Sequence, residues 1–261
     1  IPYGPMRKSA IAIIKKGDSK IMSKTKTIPI FPLDLVLFPN QELPLKIFEP
    51  RYKQMVDDCM ISEKEFGVCL SNSNMSVSNW EAPYDIGTIA KIIDCKDIDS
   101  TSGHLHINTK GHSRFRIIRI IPPCFEQPVN YDPFSINGIQ RIESVHEESG
   151  VDGKMYIQAE VELINDIEES ISLKEWNYLV DLWKKKISAL AKPQNISDYE
   201  LDNLLETYYL NTEIPTLDYV YSLCALGASS PKELQSILES TTKEQFLEKC
   251  QDLLNSTNDL S

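Results

Sequence analysis

The sequence lacks the features that define several large classes of protein. No apolar run approaches the roughly 18 residues that a membrane span requires, so an integral membrane protein is excluded. None of the six cysteines stands in a CxxC pair, which argues against a zinc ribbon or a thioredoxin-type site. With ten glycines and six cysteines in 261 residues, collagen-like and disulfide-scaffold classes are excluded as well.

Sequence motifs of common enzymes are also missing. A Walker A loop needs glycines followed by Lys-Ser or Lys-Thr, and the nearest segment, 150–155, has the wrong spacing and ends in Met155. There is no GxGxxG, HExxH or GxSxG. We therefore predict no catalytic residue, no cofactor and no ATPase or Ser–Lys protease activity. A Cys–His nucleophile pair stays open at this point, because such partners meet in space rather than along the chain.

Acidic residues outnumber basic ones, 38 against 27, which gives a formal net charge of −11. The excess is uneven, since residues 1–22 contain five basic residues and one acidic residue, a net charge of +4. An acidic protein body repels polyanions, so the composition disfavours binding to nucleic acids and to anionic membranes.

Changes in hydrophobic pattern divide the chain into three parts. We predict a flexible leader over residues 1–27, a β domain over 28–168 and a helical bundle over 169–261. The fold class is therefore α+β, with a barrel or folded sheet that contains one early helix. We expect a cytoplasmic protein, or an organellar one if residues 1–21 act as a targeting leader and Met22 is not the start.

Strand signals dominate the first half. Residues 28–33 and 43–48 are apolar but contain prolines, which cannot donate to a sheet ladder, so we predict edge strands there. Turns are expected at residues 100–103 and 110–111, and long polar connections at 71–84 and 126–153. The remaining predicted strands are 66–70, 87–95, 105–109, 114–121 and 156–164.

Helical periodicity marks one early segment and all of the second half. Pro50 opens a predicted helix over residues 49–60, whose apolar face contains Tyr52, Met55, Val56, Cys59 and Met60. Later helices should begin at Ser172, Ser197, Thr216, Ser230 and Thr241, and all of these but Thr216 are followed three residues later by the Glu of a capping box. The buried faces are predicted to include Trp176, Leu179, Val180, Trp183, Ile187, Leu190 and Tyr208, with Lys184, Lys185 and Lys186 facing solvent.

Three of the four histidines are close in sequence. His104 and His106 alternate on a predicted strand, and His112 follows. A metal site would need a further well-placed ligand and supporting hydrogen bonds. We interpret the three as polar strand residues and predict no metal, while the sequence leaves open whether they bind anything.

Several segments resemble the N-terminal domain of the Lon protease family. They include Pro29–Leu33, Val36–Pro39 and Leu43–Tyr52, with its Phe-Glu-Pro-Arg-Tyr run. The likeness extends over roughly residues 28–255 and includes Asp85–Ile92 and Ser230–Gln235. The chain departs from the usual pattern at His104–His106 and at Asn40, where a turn glycine is common.

The resemblance implies a PUA-like β pseudo-barrel followed by a helical bundle. It also implies a stand-alone family member that lacks the ATPase and protease parts of Lon. In that family this region helps to recognise substrate proteins. The leading hypothesis is therefore a non-enzymatic protein that binds unfolded or degron-bearing polypeptides, or a Lon-like protease partner.

Candidate peptide contacts come from the matching segments, and they are Ile30, Phe31, Phe38, Leu45, Phe48, Arg51 and Tyr52. The aromatic members are also typical core residues, so burial is the competing interpretation. RNA binding through the PUA-like fold is the alternative function, and the net charge opposes it. A hydrolase is a third interpretation, supported by the family name alone.

Overall fold

Six strands and seven helices make up the described parts of the chain. The computed structural model describes residues 25–99, 104–149, 153–191 and 196–256. Most of the predicted leader and the predicted turn at 100–103 lie outside them. The strands are β1 (Lys26–Leu33), β2 (Glu42–Ile47), β3 (Glu65–Val77), β4 (Trp80–Asp99), β5 (His104–Ile121) and β6 (Gln158–Leu163). The helices are α1 (Pro50–Met60), α2 (Ile136–Ser149), α3 (Leu173–Leu190), α4 (Asp198–Thr207), α5 (Leu217–Gly227), α6 (Pro231–Leu238) and α7 (Lys243–Asn255).

The strands form one sheet in the order β2-β5-β4-β3-β1-β6. Strand β6 also pairs with the second half of β5, which closes five strands into a barrel, and β2 pairs with the first half of β5. The pairing of β1 with β3 is parallel, and the other pairings are antiparallel. The α+β class is thereby confirmed.

The prediction of an edge strand at residues 28–33 is wrong, whereas β2 does lie at a sheet edge. The first half of β1 pairs with β6, and its second half pairs with β3. Each half therefore has one strand neighbour, and this arrangement tolerates prolines at positions 29 and 32 inside a barrel.

Two predicted loops are strands. Residues 71–84 belong to the long β3–β4 hairpin, whose turn residues Ser78 and Asn79 have φ angles of 51° and 64°. Positive φ at both central residues is the geometry of a type I′ hairpin turn. The predicted turn at 110–111 is wrong too, because both residues lie inside β5.

Gly111 marks a close approach rather than a turn. Its N–H donates to the carbonyl oxygen of Gln41 at 2.8 Å, and its carbonyl accepts from Asn40 N–H at 2.9 Å. A Cβ atom at position 111 would collide with the carbonyl oxygen of Phe38. Asn40 itself has a φ of 63°, so it supplies the left-handed conformation that glycine commonly provides.

The predicted polar connection at 126–153 contains helix α2. The helix begins after a local turn in which the Ser135 hydroxyl accepts a hydrogen bond from Gly138 N–H. Its buried contact is Ile142, which packs in a small cluster with Trp80 and Met155. Among the described side chains of α2, Ile142 is the one fully buried apolar residue, and this explains why the sequence indicated a polar connection.

Most predicted helix starts in the second half are confirmed. Ser172 and Ser197 form complete capping boxes with Glu175 and Glu200. The last helix is capped by Thr242 through Gln245 N–H, one residue after the predicted Thr241. Within the described residues, no helix is both long enough and apolar enough to cross a membrane.

Helix faces largely match the predicted stripes, with exceptions at helix ends. Trp176, Leu179 and Trp183 are buried, while Met60, Leu190 and Tyr208 are exposed, contrary to prediction. Lys186 is also wrongly predicted, because it is only 3% exposed. Its ammonium group donates to the carbonyl oxygen of Leu253 and to Ser256 Oγ, and so it satisfies the C-terminal end of α7.

Barrel and bundle share a polar and aromatic junction. Arg114 of β5 donates to the carbonyl oxygen of Leu238, the last residue of α6, and to that of Ser240, two residues later. Gln235 of α6 donates to the carbonyl oxygen of Ile86 in β4 at 3.0 Å. These contacts position the α6 N-terminus beside the β3–β4 hairpin.

Candidate functional site

The predicted peptide-contact residues separate into a buried group and an accessible group. Ile30, Phe31, Phe38 and Tyr52 are buried. They support the fold, since the Phe31 ring lies 4.0 Å from the Tyr52 ring and Phe38 stacks on Tyr221 at 4.2 Å. The accessible residues, Leu45, Phe48 and Arg51, are half-buried and lie on or just after β2.

Strand β2 presents an unpaired backbone edge. Because Gly111 N–H bonds to Gln41, and bonded positions alternate along an antiparallel pair, residues 43, 45 and 47 also bond to β5. The N–H and C=O groups of Glu42, Pro44 and Lys46 therefore point away from β5. No strand in the described parts of the chain covers that edge. Pro44 lacks a donor, which leaves two N–H groups and three carbonyls available.

An exposed aromatic pair lies at the end of this edge. The rings of Phe48 and Phe134 are 5.3 Å apart, and Phe134 is 83% exposed. Val129 and Ile136 on either side are exposed too. The sequence did not predict Phe134 as a contact residue, because it lies in a mostly polar segment. Exposed apolar residues in such a segment, here Val129 and Phe134, are a signal of a binding surface that could have found it. We call β2, Phe48 and Phe134 the β2–Phe134 surface.

Arg51 lies next to this surface, between two aromatic rings. Its guanidinium carbon is 4.2 Å from the Tyr52 ring centre and 4.0 Å from that of Trp80. Its Nε donates to Glu49 Oε2 at 2.7 Å, and the same oxygen accepts from the Tyr131 hydroxyl at 2.9 Å. Burial raises the pKa of Tyr52 to about 12, so the ring stays neutral beside the cation.

A cavity of about 270 Å³ opens beside Arg51. Exposed Glu81 and half-buried Gln127 contribute to its lining. The other walls are Pro32, Arg51, Tyr52, Trp80, Tyr131 and Pro133. Ligand sites of drug size occupy roughly 300–1,000 Å³, so this volume suits a single amino-acid side chain.

A second cavity, of about 530 Å³, lies on the other side of Glu81. It separates the barrel from the start of α6, and its lining includes Asp34, Leu70, Ser71, Ser230 and Pro231. Glu81 lines both cavities, so the two adjoin at this residue.

Metal and thiol chemistry receive no support from the described residues. They contain no group of three or more His, Cys, Asp or Glu side chains that could hold a metal ion. His104 contacts Phe48 edge-on, with ring centres 6.3 Å apart. Burial raises the pKa of Cys59 to about 12, and it also raises the pKa of buried Cys69. Both thiols are therefore protonated and shielded, and neither is an activated nucleophile.

Comparisons with known proteins agree with this architecture. The family model for the ATP-dependent protease La (LON) substrate-binding domain matches residues 27–256. A Lon protease of Dictyoglomus thermophilum is 21% identical over 238 residues, which cover 85% of this chain and 28% of the relative. The chain thus spans less than a third of that relative's length.

Solved structures show the same fold. The Lon N-terminal domain protein from Xanthomonas campestris is 21% identical, with a TM-score of 0.52 over 86% of this chain and 96% of the other. The N-terminal domain of the Mycobacterium avium complex Lon protease is 15% identical, with a TM-score of 0.50 over 88% of this chain and 99% of the other. The chain belongs to the family of Lon substrate-binding domains.

Proposed function

We propose that the chain binds unfolded or degron-bearing polypeptide segments on the β2–Phe134 surface and has no enzymatic activity of its own. The observation that carries the proposal is the unpaired edge of β2 next to the exposed Phe134 ring. Membership of a substrate-binding family supports the general role. We expect the bound polypeptide to pass to a Lon-like protease in the cytoplasm.

The binding mode follows from the edge chemistry. An extended guest can accept hydrogen bonds from Glu42 N–H and Lys46 N–H and donate to the outward carbonyls of β2. Phe48 and Phe134 then contact apolar guest side chains. Pro44 and the charged side chains of the edge limit tight pairing, which favours reversible capture over aggregation. We therefore expect micromolar affinity, about −8 kcal/mol.

Two matched pairs of variants test the mode with a soluble, lysine-free peptide of alternating valine and threonine. Lys46→Pro removes an outward N–H and should weaken binding about tenfold, whereas Lys46→Ala should leave it nearly unchanged. Phe134→Ser should weaken binding by a similar factor, while Tyr209→Ser, at an equally exposed ring of the bundle, should not. Fluorescence anisotropy titrations measure all four. Equal effects within each pair would contradict the proposed surface.

Salt dependence separates peptide binding from the RNA alternative. Apolar and backbone contacts change little with ionic strength, whereas RNA binding weakens steeply as counterions are released from phosphates. We expect the lysine-free peptide to bind equally at low and high salt, and a structured RNA to bind poorly at both. Salt-sensitive RNA binding without peptide binding would reverse the assignment.

A further inference from the structure

We propose that the cavity beside Arg51 takes a lysine or arginine side chain of the bound polypeptide, with Glu81 as the residue that selects the positive charge. This inference rests on the proposed function and adds a substrate preference to it. The cavity borders the β2–Phe134 surface at two points. Pro133 in the cavity wall directly precedes Phe134 in the chain. Tyr131, also in the wall, donates a hydrogen bond to Glu49, which directly follows Phe48.

The walls fit the stem of a long basic side chain. Pro32, Pro133 and Tyr131 offer apolar surface on which methylene groups can pack, as lysine and arginine stems commonly do. The volume of about 270 Å³ admits one such side chain. Aromatic rings that already hold the Arg51 guanidinium show that a cation is stable against these faces.

The charge balance favours a cationic guest over an anionic one. Arg51 is neutralised by Glu49, at an Nε–Oε2 distance of 2.7 Å. Glu81 is the one carboxylate residue among those that line the cavity, and Glu49 lies outside the lining as the ion-pair partner of Arg51. The three side chains together have a net charge of −1. A carboxylate guest would meet this excess at short range, whereas an ammonium or guanidinium head would balance it.

Glu81 is the carboxylate of this region that is not already engaged. Glu49 accepts hydrogen bonds from Arg51 and Tyr131, and Glu126 accepts one from Asn79. Among the residues that the structure describes, none forms a hydrogen bond or ion pair with the Glu81 side chain. An exposed, unpaired carboxylate at a cavity with apolar walls is the arrangement that a basic side chain completes.

The second cavity extends the same preference along the guest. Glu81 lines both cavities, and Asp34 adds a carboxylate on the far side, beside apolar Leu70. Lys232 is the cation in that lining, and it belongs to α6. A polypeptide that occupies both cavities therefore has the Glu81 carboxylate near its middle and apolar contacts on either side. The preferred guest sequence is a basic residue between apolar residues.

The test compares two peptides on the whole chain. One alternates valine and threonine, and the other has lysine in place of every second threonine. We expect wild-type protein to bind the lysine peptide about tenfold more tightly, and Glu81→Gln to remove most of that preference while leaving the affinity for the lysine-free peptide unchanged. Glu143→Gln changes net charge equally at an exposed site on α2 and is the control that should retain the preference.

Each outcome is decisive. An equal lysine preference in wild type, Glu81→Gln and Glu143→Gln would overturn the inference, and so would an equal loss of the preference in both variants, which would attribute it to overall charge. Tight binding of both peptides without any preference would overturn it as well, while leaving the proposed function standing. Failure of wild-type protein to bind either peptide would instead remove the proposed function and this inference with it.

Discussion

Two arginines of the β-rich half differ in their surroundings, since one is buried against the bundle and the other borders a cavity. Arg114 is 1% exposed, and its guanidinium donates to the carbonyl oxygens of Leu238, Ser240 and Asn165. Arg51 lies between two aromatic rings, pairs with Glu49 and borders a cavity.

The difference lies in what surrounds each charge. Around Arg114, two carbonyl groups at the end of α6 and one just after β6 accept from the guanidinium, so the side chain joins barrel to bundle. Around Arg51, the neutralising carboxylate and the rings come from the start of α1 and from β4, and open volume remains. A buried cation with satisfied donors is typical of a structural joint, whereas a neutralised cation at a cavity is the arrangement that we propose for binding.

The largest loss of stability is expected for Arg114→Met. The substitution keeps most of the side-chain volume but leaves three carbonyls without their donor, so the free energy of unfolding should fall by about 3 kcal/mol or more. Urea unfolding measures it, with Arg116→Met at an exposed position of the same strand as the control. A loss below about 1 kcal/mol would show that the joint does not depend on Arg114.

A second buried cation extends the comparison into the bundle. Lys186→Ala removes the donor to Leu253 and Ser256 at the end of α7, and we expect a loss of about 2 kcal/mol. Exposed Lys185→Ala should change stability by less than about 0.5 kcal/mol. Thermal or urea unfolding of the two variants checks this, and equal changes would show that the α3 register is different.

A buried tyrosine accompanies each arginine region. Burial raises the pKa of Tyr52 and of Tyr221 to about 12, above the ordinary value of 10. Since the folded state holds these protons more tightly than the unfolded state, stability is complete below pH 10 and is lost as pH rises towards 12. Tyr52→Phe and Tyr221→Phe should each reduce the loss of unfolding free energy at pH 12 by about 1–2 kcal/mol.

Unfolding titrations between pH 9 and pH 12 measure that decline. Identical pH profiles in wild type and both variants would contradict the assignment of the decline to these two side chains.

A smaller loss of stability than for Arg114→Met is expected for Arg51→Met. The substitution removes the ring contacts and an ion pair whose side chains are only 14% and 12% exposed, but Glu49 keeps its hydrogen bond from Tyr131, so the free energy of unfolding should fall by about 2 kcal/mol. Affinity for the lysine-free peptide should nevertheless fall severalfold, because the cavity walls lose their central contact. Parallel unfolding and anisotropy titrations separate the two effects, and a larger stability loss at Arg51 than at Arg114 would contradict the distinction between the two arginines.

Local signals predicted the start of most helices in the second half. Of the four predicted capping boxes, those at Ser172 and Ser197 form, because they need only residues three positions apart. Ser230 begins α6 without a side-chain cap, and Thr242 caps α7 in place of Thr241. Lys186 could not be predicted in the same way, because its partner Leu253 lies 67 residues further along the chain. The sequence therefore predicted that Lys186 faces solvent, together with Lys184 and Lys185.

The barrel depends on distant pairings that local patterns do not contain. The prolines of β1 indicated an edge, although the strand has a different neighbour along each half. The turn at Ser78 and Asn79 contains no glycine, so the β3–β4 hairpin read as a loop. For the candidate site, the Phe-Glu-Pro-Arg-Tyr run located Phe48 and Arg51, but Phe134 and Glu81 join them only in the folded chain.

Hydrogen–deuterium exchange of the whole chain, with and without the lysine-free peptide at saturation, distinguishes the β2–Phe134 surface from a site on the bundle. We expect slower exchange at β2, above all at the outward amides of Glu42 and Lys46, and in the segment 127–136 around Phe134. Exchange in α3 to α7 should not change. Protection confined to the bundle, for example around Tyr209, with none at β2, would contradict the β2–Phe134 surface as the site of polypeptide binding.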